Sequence, residues 1–326
     1  MKNELLRIGS RGSGLALWQA SWVRETLLRS HPGLEVTVEI IKTTGDKVLE
    51  SPLSRMSSKG IFTREIEEAL LDQRIDLAVH SLKDIPTQLP EGLTIGAISE
   101  REDVRDVFIP RRTNARQSLE EQEANARIAT GSLRRRCQLL NRFPGFEIVD
   151  IRGNLDTRIR KLDSSPWEGM ILARAGVIRL GLLDRVGEIL DISVMMPAVG
   201  QGALGVEIRN GDDRTGRFVQ SVHDRATAVG TNAERALLHR LQGGCQVPVG
   251  AYGRIETTGD GETLVLDGMV GSLDGRSEVR GKVSGSIEEA EQLGIRLAEA
   301  LLSRGADRIL DEIRTGGLDG DAGVAP

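Results

Sequence analysis

Apolar runs of strand length alternate with amphipathic helical stretches over the first hundred residues. Strands are predicted at 6–9, 36–41 and 77–80, and helices at 15–23 and 62–70. In the first of these helices, one apolar face carries Leu15, Trp18, Trp22 and Val23, and Gln19 lies in the middle of that face. The segment 47–60 has no clear periodicity, and we predict that it is a mobile loop.

A charged stretch at 100–105 separates this unit from a second unit of the same style. There, strands are predicted at 127–129, 148–151 and 170–173, and a helix at 133–141. A further apolar run at 204–208 is expected to return to the first sheet. Alternation of strands and helices at this spacing is typical of mainly parallel, doubly wound sheets. Ligands of such sheets bind beyond the carboxyl ends of the strands.

The pattern changes at about residue 224. A helix is predicted to begin at a capping box formed by Thr231 and Glu234 and to end at Gly243 and Gly244. Three strand-like runs joined by glycine and aspartate turns follow, as in an antiparallel meander: 247–256, 263–271 and 276–283. A helix at about 286–303 closes this third unit.

Composition excludes several classes of protein. With a net charge of −5 and nine aromatic residues in 326, the chain is not a general nucleic-acid binder. Charged residues interrupt the apolar run at the N-terminus, so we expect neither a signal peptide nor a membrane span. We therefore expect a cytoplasmic protein. The two cysteines form no CxxC pair and the four histidines no HExxH, so no metal site is predicted. No Walker A motif occurs, and the GxGxxG pattern at 200–205 leads into a predicted strand instead of following one, so nucleotide binding gains no support.

Three consecutive arginines follow a predicted helix start in Thr130-Gly131-Ser132-Leu133-Arg134-Arg135-Arg136. Free amides at a helix N-terminus attract anions, whereas positive side chains there oppose the helix dipole. A bound polyanion would offset that cost, and a solvated basic helix start is the alternative. Further guanidinium groups fall at predicted turns after strands: Arg11, Arg152, Arg158 and Arg179. Arginine matches a carboxylate with two parallel donors, so this set suits a substrate with many carboxylates.

Lys83 and Asp84 directly follow the predicted strand 77–80. Asp84 is either a cap for the turn before Pro86 or a carboxylate that stabilises a cationic intermediate and transfers protons. The sequence alone leaves both roles open.

Cys245 stands in the run Gly243-Gly244-Cys245-Gln246-Val247-Pro248, just after a predicted helix. A lone cysteine is commonly a small buried apolar residue, and we assign Cys137 to the core on that ground. Two adjacent glycines argue against a packed site for Cys245. A thiol displayed there is a candidate nucleophile or attachment point.

Together these stretches resemble the porphobilinogen deaminase, or hydroxymethylbilane synthase, family. The matching segments run in order over about residues 6–250: IGSRGSGLALWQA, IKTTGD, KGIFTREIEEALL, AVHSLKDIPT, TGSLRRRCQL, IRGNLDTRIRKL, GVIRLGL, PAVGQGALGVE and ERALLHRLQGGCQVPVG.

The resemblance implies two doubly wound α/β domains, similar to those of type II periplasmic binding proteins, around an active-site cleft. A small α+β C-terminal domain with a three-stranded antiparallel sheet follows. The limits predicted from this are 1–102 with 202–220 for the first domain, 106–198 for the second and 224–313 for the third, with a disordered tail at 314–326.

The resemblance also implies an activity. The family is a transferase of tetrapyrrole (heme) biosynthesis that joins four porphobilinogen molecules head to tail, with loss of ammonia, and releases hydroxymethylbilane by hydrolysis. The chain grows on a dipyrromethane cofactor, one per protein, held through a thioether that falls here on Cys245. We expect a monomer that binds porphobilinogen and neither nucleic acid nor membrane.

Residue roles carry over by motif. Asp84 is implied as the catalytic carboxylate, which assists ammonia loss and stabilises the azafulvene cation. The implied cofactor ligands are Lys83, Asp84, Ser132, Arg134, Arg135 and Arg158. The implied ligands of substrate or growing chain are Arg11, Ser13, Gln19, Arg152, Arg158 and Arg179. Arg55 and Lys59 are implied as the charges of the active-site loop.

The sequence departs from the family pattern at two places, and a second class of protein also fits part of the chain. Ser57-Ser58 replaces part of a glycine- and lysine-rich loop segment, and Arg174 occupies a usually neutral position and receives no role. The first two domains alone would also suit a cytoplasmic anion-binding or sensor protein. Such a protein needs neither Cys245 nor Asp84, and an intact mass larger than the sequence mass by one dipyrromethane distinguishes the enzyme.

Overall fold

The computed structural model describes residues 4–44, 63–113, 117–242, 247–258 and 261–316. Their strands, in chain order, are β1 (Glu4–Ser10), β2 (Leu34–Ile40), β3 (Leu77–Ser81), β4 (Leu93–Ile98), β5 (Asp106–Pro110), β6 (Arg127–Ala129), β7 (Glu147–Val149), β8 (Gly169–Ala173), β9 (Glu188–Ile189), β10 (Leu204–Arg209), β11 (Val249–Thr258), β12 (Gly261–Gly271) and β13 (Glu278–Gly285). Their helices are α1 (Gly14–Ser30), α2 (Arg64–Leu71), α3 (Leu133–Arg142), α4 (Leu155–Ser164), α5 (Arg174–Arg179), α6 (Asp213–Val219), α7 (Arg225–Arg240), α8 (Ala290–Leu301) and α9 (Asp307–Gly316). Across this described part of the chain, none of the helices has the length and hydropathy needed to span a membrane.

The first sheet has the strand order β2-β1-β3-β10-β4. Strand β1 runs parallel to β2 and β3, whereas β10 runs antiparallel to β3 and β4, so the predicted return of the 204–208 segment is confirmed. Strand β4 was not predicted, because it contains Gly96 and has only half of its residues fully buried.

Helix α1 packs on this sheet through Gln19, Ala20, Val23 and Leu27. The predicted apolar face was therefore wrong for Trp18, which is 37% exposed. The buried stripe is rotated toward the small and aliphatic residues because these fit closely against β1 and β3, and Trp18 is left at the edge of the domain.

The second sheet has the order β7-β6-β8-β5-β9. Strand β6 is parallel to β7 and β8, whereas β5 is antiparallel to β8 and β9. Strand β5 follows the charged segment 100–105, which the sequence pattern marks only as a separator. The five residues of β5, Asp106 included, are all buried, and the chain thus leaves the first domain by entering the core of the second.

The third sheet is the predicted antiparallel meander β11-β12-β13. Helices α7 and α8 cover one of its faces: Leu237 of α7 and Leu297 of α8 pack with Leu266 of β12, and all three are at most 1% exposed.

Helix α9 continues to Gly316, and Arg314 donates to the Leu241 carbonyl oxygen at 3.2 Å. The prediction of disorder is therefore wrong for 314–316, because Ile313 on the same helix packs against the core. The rest of the predicted tail, 317–326, and the predicted mobile loop 47–60 lie outside the described residues.

Helix α7 begins earlier than the capping-box prediction. Asp224 is the N-cap, and its carboxylate accepts from the Thr227 amide at 2.7 Å. Thr231 is buried inside the helix and donates to the Thr227 carbonyl oxygen. The capping-box assignment of Thr231 and Glu234 was therefore wrong, because Glu234 is fully buried and makes tertiary contacts.

Glu234 joins all three domains through one carboxylate. It accepts from the Arg101 guanidinium at 2.6 and 3.2 Å, from the Gly200 amide at 2.7 Å and from the Gly253 amide at 2.7 Å. Arg101 and Gly200 lie in the two segments that cross between the first and second domains, and Gly253 lies in β11. A buried charge with four donors is fully satisfied, so this contact fixes the third domain against both crossings.

Candidate active site

A cleft opens between the first and second domains, beyond the carboxyl ends of β3 and β8. Its first-domain wall includes Lys83 and Asp84, which form a short 3₁₀ turn directly after β3. Its second-domain wall comes from the segments that follow β6, β7 and β8, as expected for doubly wound sheets. The predicted site residues that line the cleft are Arg11, Ser13, Lys83, Asp84, Arg135, Arg158 and Arg179.

Asp84 is exposed to the cleft, and its turn is closed by the backbone bond from the Ile85 amide to the Leu82 carbonyl oxygen. The Asp84 side chain caps nothing, and within the described ranges no hydrogen bond to its carboxylate is found. The alternative that Asp84 serves as a turn cap thus gains no support. The carboxylate is available to a ligand.

The three consecutive arginines at the start of α3 have three different environments. Arg134 is buried and donates to Asp106 at 2.8 Å and to the Met196 carbonyl oxygen. Arg135 donates to both oxygens of Asp106 and to the Ile171 carbonyl oxygen, and it also borders the cleft. Arg136 is exposed and donates to the Leu273 carbonyl oxygen of the third domain. The alternative interpretation, a solvated basic helix start, is therefore wrong for Arg134 and Arg135, which are buried.

Asp106, which the sequence pattern did not single out, is the internal partner of these arginines. It is fully buried at the start of β5. Burial by itself would raise the pKa of its carboxyl group, but the charges of Arg134 and Arg135 hold that pKa below its usual range. The only sequence signal was an acidic residue at the start of an apolar run.

Gln201 connects Asp106 to the first-domain wall. Its amide group donates to Asp106 at 2.8 Å and to the Val104 carbonyl oxygen at 2.7 Å, and its oxygen accepts from Lys83 Nζ at 3.4 Å. The residue is 1% exposed. One hydrogen-bonded chain therefore runs from Lys83 through Gln201 and Asp106 to Arg135, across the base of the cleft.

Positive charge exceeds negative charge at this base. Arg134 and Arg135 pair with Asp106, which is fully buried, and Lys83 and Arg158 lie near Arg135. Burial lowers the pKa of Lys83 to about 8, opposed by Asp84 and assisted by the charge of Arg135. Burial also lowers the pKa of Arg158 to about 10, again with a contribution from Arg135. These cations carry a desolvation cost that a bound anion would offset.

The hydrogen-bond partners of Arg158 and Arg179 in the described chain are carbonyl oxygens only. Arg158 donates to the Gly153 carbonyl oxygen at 2.7 Å, and Arg179 donates to the Gly202 carbonyl oxygen at 2.6 Å. Burial lowers the pKa of Arg179 to about 10, and Glu102 acts in the opposite direction. Two half-buried guanidinium groups without an ion pair are well placed to receive carboxylates.

Other predicted ligands stand behind the cleft wall. Gln19 is buried and donates to Ser81 Oγ at 2.7 Å, and Ser81 itself borders the cleft. Ser132 caps α3 by accepting from the Arg135 amide, and Arg152 donates to Asp150 at 2.9 Å. None of these three side chains lines the cleft, and neither does Arg134.

Three predicted positions lie outside the described residues: Arg55, Lys59 and Cys245. Described residues flank Cys245, with α7 ending at Arg240 and β11 beginning at Val249. Arg174, which received no role in the sequence analysis, pairs with Asp103 in the segment that crosses between the domains. Asp103 also pairs with Arg105 at 2.7 Å, so Arg174 helps to hold that crossing.

Cys137 is buried with Met196 and Met269 where the second and third domains meet. Its thiol donates to the Arg134 carbonyl oxygen, and burial raises its pKa to about 12. The assignment of Cys137 to the core is confirmed, and a thiol with so high a pKa is a poor nucleophile.

Comparisons with known proteins place this cleft in context. A family model described as the dipyromethane cofactor binding domain of porphobilinogen deaminase matches residues 6–217, and the porphobilinogen deaminase C-terminal domain matches residues 229–303. The porphobilinogen deaminase of Syntrophotalea carbinolica is 48% identical over 95% of this chain and 96% of its own length. That of Chlorobaculum tepidum is 50% identical over 96% of this chain and 99% of its own.

Solved structures of binding proteins match part of this chain at low sequence identity. The methionine binding protein MetQ matches 67% of this chain and 89% of its own chain, with a TM-score of 0.44 and 13% identity.

Proposed function

The chain belongs to the porphobilinogen deaminase family, and we propose that the cleft described above is its active site, with Asp84 as the catalytic carboxylate and Cys245 as the cofactor attachment point. The enzyme is a transferase that joins porphobilinogen molecules head to tail in tetrapyrrole biosynthesis. Two desolvated cations beside Asp84, Lys83 and Arg158, have no ion pair within the described residues, and they are the observation that carries the proposed site.

The residues at the base of the cleft suit a dipyrromethane. This group brings several carboxylates, and the cleft offers Lys83, Arg135 and Arg158, with lowered pKa values at Lys83 and Arg158 that an anion would restore. Arg134 contributes from behind, since it shares Asp106 with Arg135. When bound, the dipyrromethane supplies the pyrrole carbon to which the first porphobilinogen is joined.

Asp84 performs two tasks at its carboxylate oxygens. As the carbon–nitrogen bond of porphobilinogen breaks and ammonia leaves, positive charge develops on the pyrrole ring, and a nearby carboxylate stabilises that charge. The same carboxylate then accepts the proton that the acceptor pyrrole carbon loses when the new carbon–carbon bond forms.

Incoming substrate is assigned to the outer guanidinium groups. Arg11 and Arg179 line the cleft on opposite domains, and each suits the acetate or propionate group of a pyrrole. The proposal keeps the predicted substrate roles of Ser13, Gln19 and Arg152. Gln19 would act by holding Ser81, which borders the cleft, and Arg152 would act from the loop after β7.

The remaining parts of the proposal concern the whole protein. We retain within the proposal the three domain limits given above and a monomeric, cytoplasmic enzyme. Loop residues Arg55 and Lys59 keep their predicted roles.

Intact mass tests the attachment. The purified enzyme is expected to exceed its sequence mass by one dipyrromethane, and Cys245→Ala to lose both that mass and the activity. Cys137→Ala is the matched control and should keep both, because Cys137 is a core residue. An added mass that persists in Cys245→Ala would refute the attachment.

Activity of the loaded enzyme tests Asp84. Asp84→Ala should lower turnover by about 10² to 10⁴ with little change in melting temperature, and Asp84→Glu should retain more. Asp72→Ala, which removes an exposed carboxylate of the same domain, should leave turnover unchanged. Near wild-type turnover of loaded Asp84→Ala would mean that another group is the acid.

A further inference from the structure

Trp18 is 37% exposed and contacts Arg179, a proposed substrate-binding arginine that lines the cleft. Its indole ring centroid is 5.5 Å from the guanidinium carbon of Arg179, within the range of a cation–π interaction. Trp18 belongs to α1 of the first domain and Arg179 to α5 of the second. The pair therefore crosses the cleft.

Arg179 is held from a second direction by the first-domain side of the crossing segment. One guanidinium nitrogen donates to the Gly202 carbonyl oxygen at 2.6 Å, just before β10. No ion pair of Arg179 is found in the part of the chain that the structure describes. An aromatic face and a single carbonyl oxygen are thus the groups that orient this cation.

A carboxylate approaching Arg179 would therefore meet a guanidinium that is already held from two directions. A cation–π contact does not use the N–H donors in conventional hydrogen bonds, so these donors can form paired bonds to a carboxylate. The bond to the Gly202 carbonyl oxygen uses one of those donors. A charged carboxylate is a stronger acceptor than a neutral carbonyl oxygen and can replace it while the contact with Trp18 is kept.

Resting on the proposed function, we propose that Trp18 is a positioning residue that presets Arg179 for a substrate carboxylate, which displaces the Gly202 carbonyl oxygen. Trp18 does not touch the reacting atoms. It orders the long, flexible side chain of Arg179 before the substrate binds, so that binding does not carry the entropy cost of this ordering. Because Trp18 and Arg179 belong to different domains, the same contact sets the width of the cleft mouth in the substrate-free enzyme.

Steady-state kinetics separate this role from a structural one. Trp18→Leu should raise KM for porphobilinogen roughly three- to tenfold, with a smaller effect on kcat, because it removes a cation–π contact. Trp18→Phe should recover part of the loss, since it restores an aromatic face. Trp22→Phe is the matched control on the same helix, where Trp22 packs against the first-domain core and should leave KM unchanged. An unchanged KM in Trp18→Leu, or equal losses in the Leu and Phe variants, would overturn the proposal.

Fluorescence reports the contact directly. In the double variant Trp22→Phe, Trp167→Phe, Trp18 is the sole indole, and rapid mixing with porphobilinogen should change its emission in the binding phase. Adding Arg179→Leu should abolish that change. A binding phase without an emission change, or a change that survives Arg179→Leu, would contradict the proposal.

The positioning role and the proposed function fail separately. If the parent enzyme lacks the added mass or the activity, the proposed function is wrong. If the parent has both but the Trp18 variants and the fluorescence give the contrary results above, only the positioning role is wrong.

Discussion

At the scale of single residues, the cleft contains cations that weaken the folded state and prepare it for an anion. Arg158 is the clearest case, because burial lowers its pKa to about 10 and its hydrogen-bond partner within the described chain is the Gly153 carbonyl oxygen. Arg135 differs, since Asp106 neutralises it. A desolvated charge without an ionic partner lowers the stability of the folded protein, and proteins commonly retain such charges where function needs them.

Removing the charge of Arg158 should therefore separate function from stability. Arg158→Gln is expected to reduce the cofactor-loaded fraction strongly, because a charge-assisted hydrogen bond contributes about 1.5–3 kcal/mol, or roughly 10- to 150-fold in affinity. In the cofactor-free Cys245→Ala background, the same change should not lower the melting temperature. Intact mass and thermal unfolding measure the two effects.

Arg136→Gln supplies the control for that experiment, because this exposed arginine points to the third domain and away from the cleft. It should keep full cofactor loading. Full loading of Arg158→Gln, or a large loss of stability without cofactor, would show that Arg158 has a structural role instead.

At the scale of elements, helix α7 owes its position to one interior side chain. The four donors that converge on Glu234 come from both crossing segments and from β11. A helix that carries such a residue is fixed in rotation and in register against its neighbours. Its apolar face alone, through Leu237, would fix the rotation only.

Glu234→Gln should consequently destabilise the protein by about 3 kcal/mol or more, because it leaves Arg101 buried without its counter-charge. Urea denaturation measures the change. Glu299→Gln on α8 removes an exposed partner of Arg240 and should cost no more than about 1 kcal/mol. Equal effects of the two substitutions would show that the buried pair does not join the domains.

At the scale of the whole molecule, the excess positive charge between two domains makes stability depend on pH. The unfolded chain holds Lys83 at its ordinary pKa of 10.5, whereas burial lowers the folded value to about 8. Between these values the unfolded state binds more protons, so the free energy of unfolding rises with pH. Below pH 8 both states are protonated and the desolvation cost is complete.

This dependence predicts a difference between two cofactor-free proteins. Cys245→Ala should gain stability relative to Cys245→Ala, Lys83→Met as the pH rises from about 8 to about 10. Unfolding midpoints across that range measure the gain. A constant difference would show that Lys83 keeps its ordinary pKa, and in the cofactor-loaded enzyme the trend should disappear because bound carboxylates raise the pKa again.

Much of the fold was determined by the sequence itself. The strands β1, β3 and β8 and the meander β11-β12-β13 follow from local periodicity, because strand and helix periods are set by neighbouring residues along the chain. The same reasoning predicts which side chains line the cleft, among them Asp84, Arg135, Arg158 and Arg179. Turns after parallel strands share one edge of a sheet, so residues there meet in a cleft.

Only the tertiary structure decided which charges are paired and which are available. Asp106 and Arg134 are 28 positions apart, and Glu234 reaches Arg101 across 133 positions, distances over which local patterns carry no information. The same holds for Trp18. Its position in the helix predicts a core residue, but in the structure its ring contacts Arg179 of the second domain. A local pattern fixes the direction of a side chain relative to its own element, whereas its partner depends on the packing of elements that are distant in sequence.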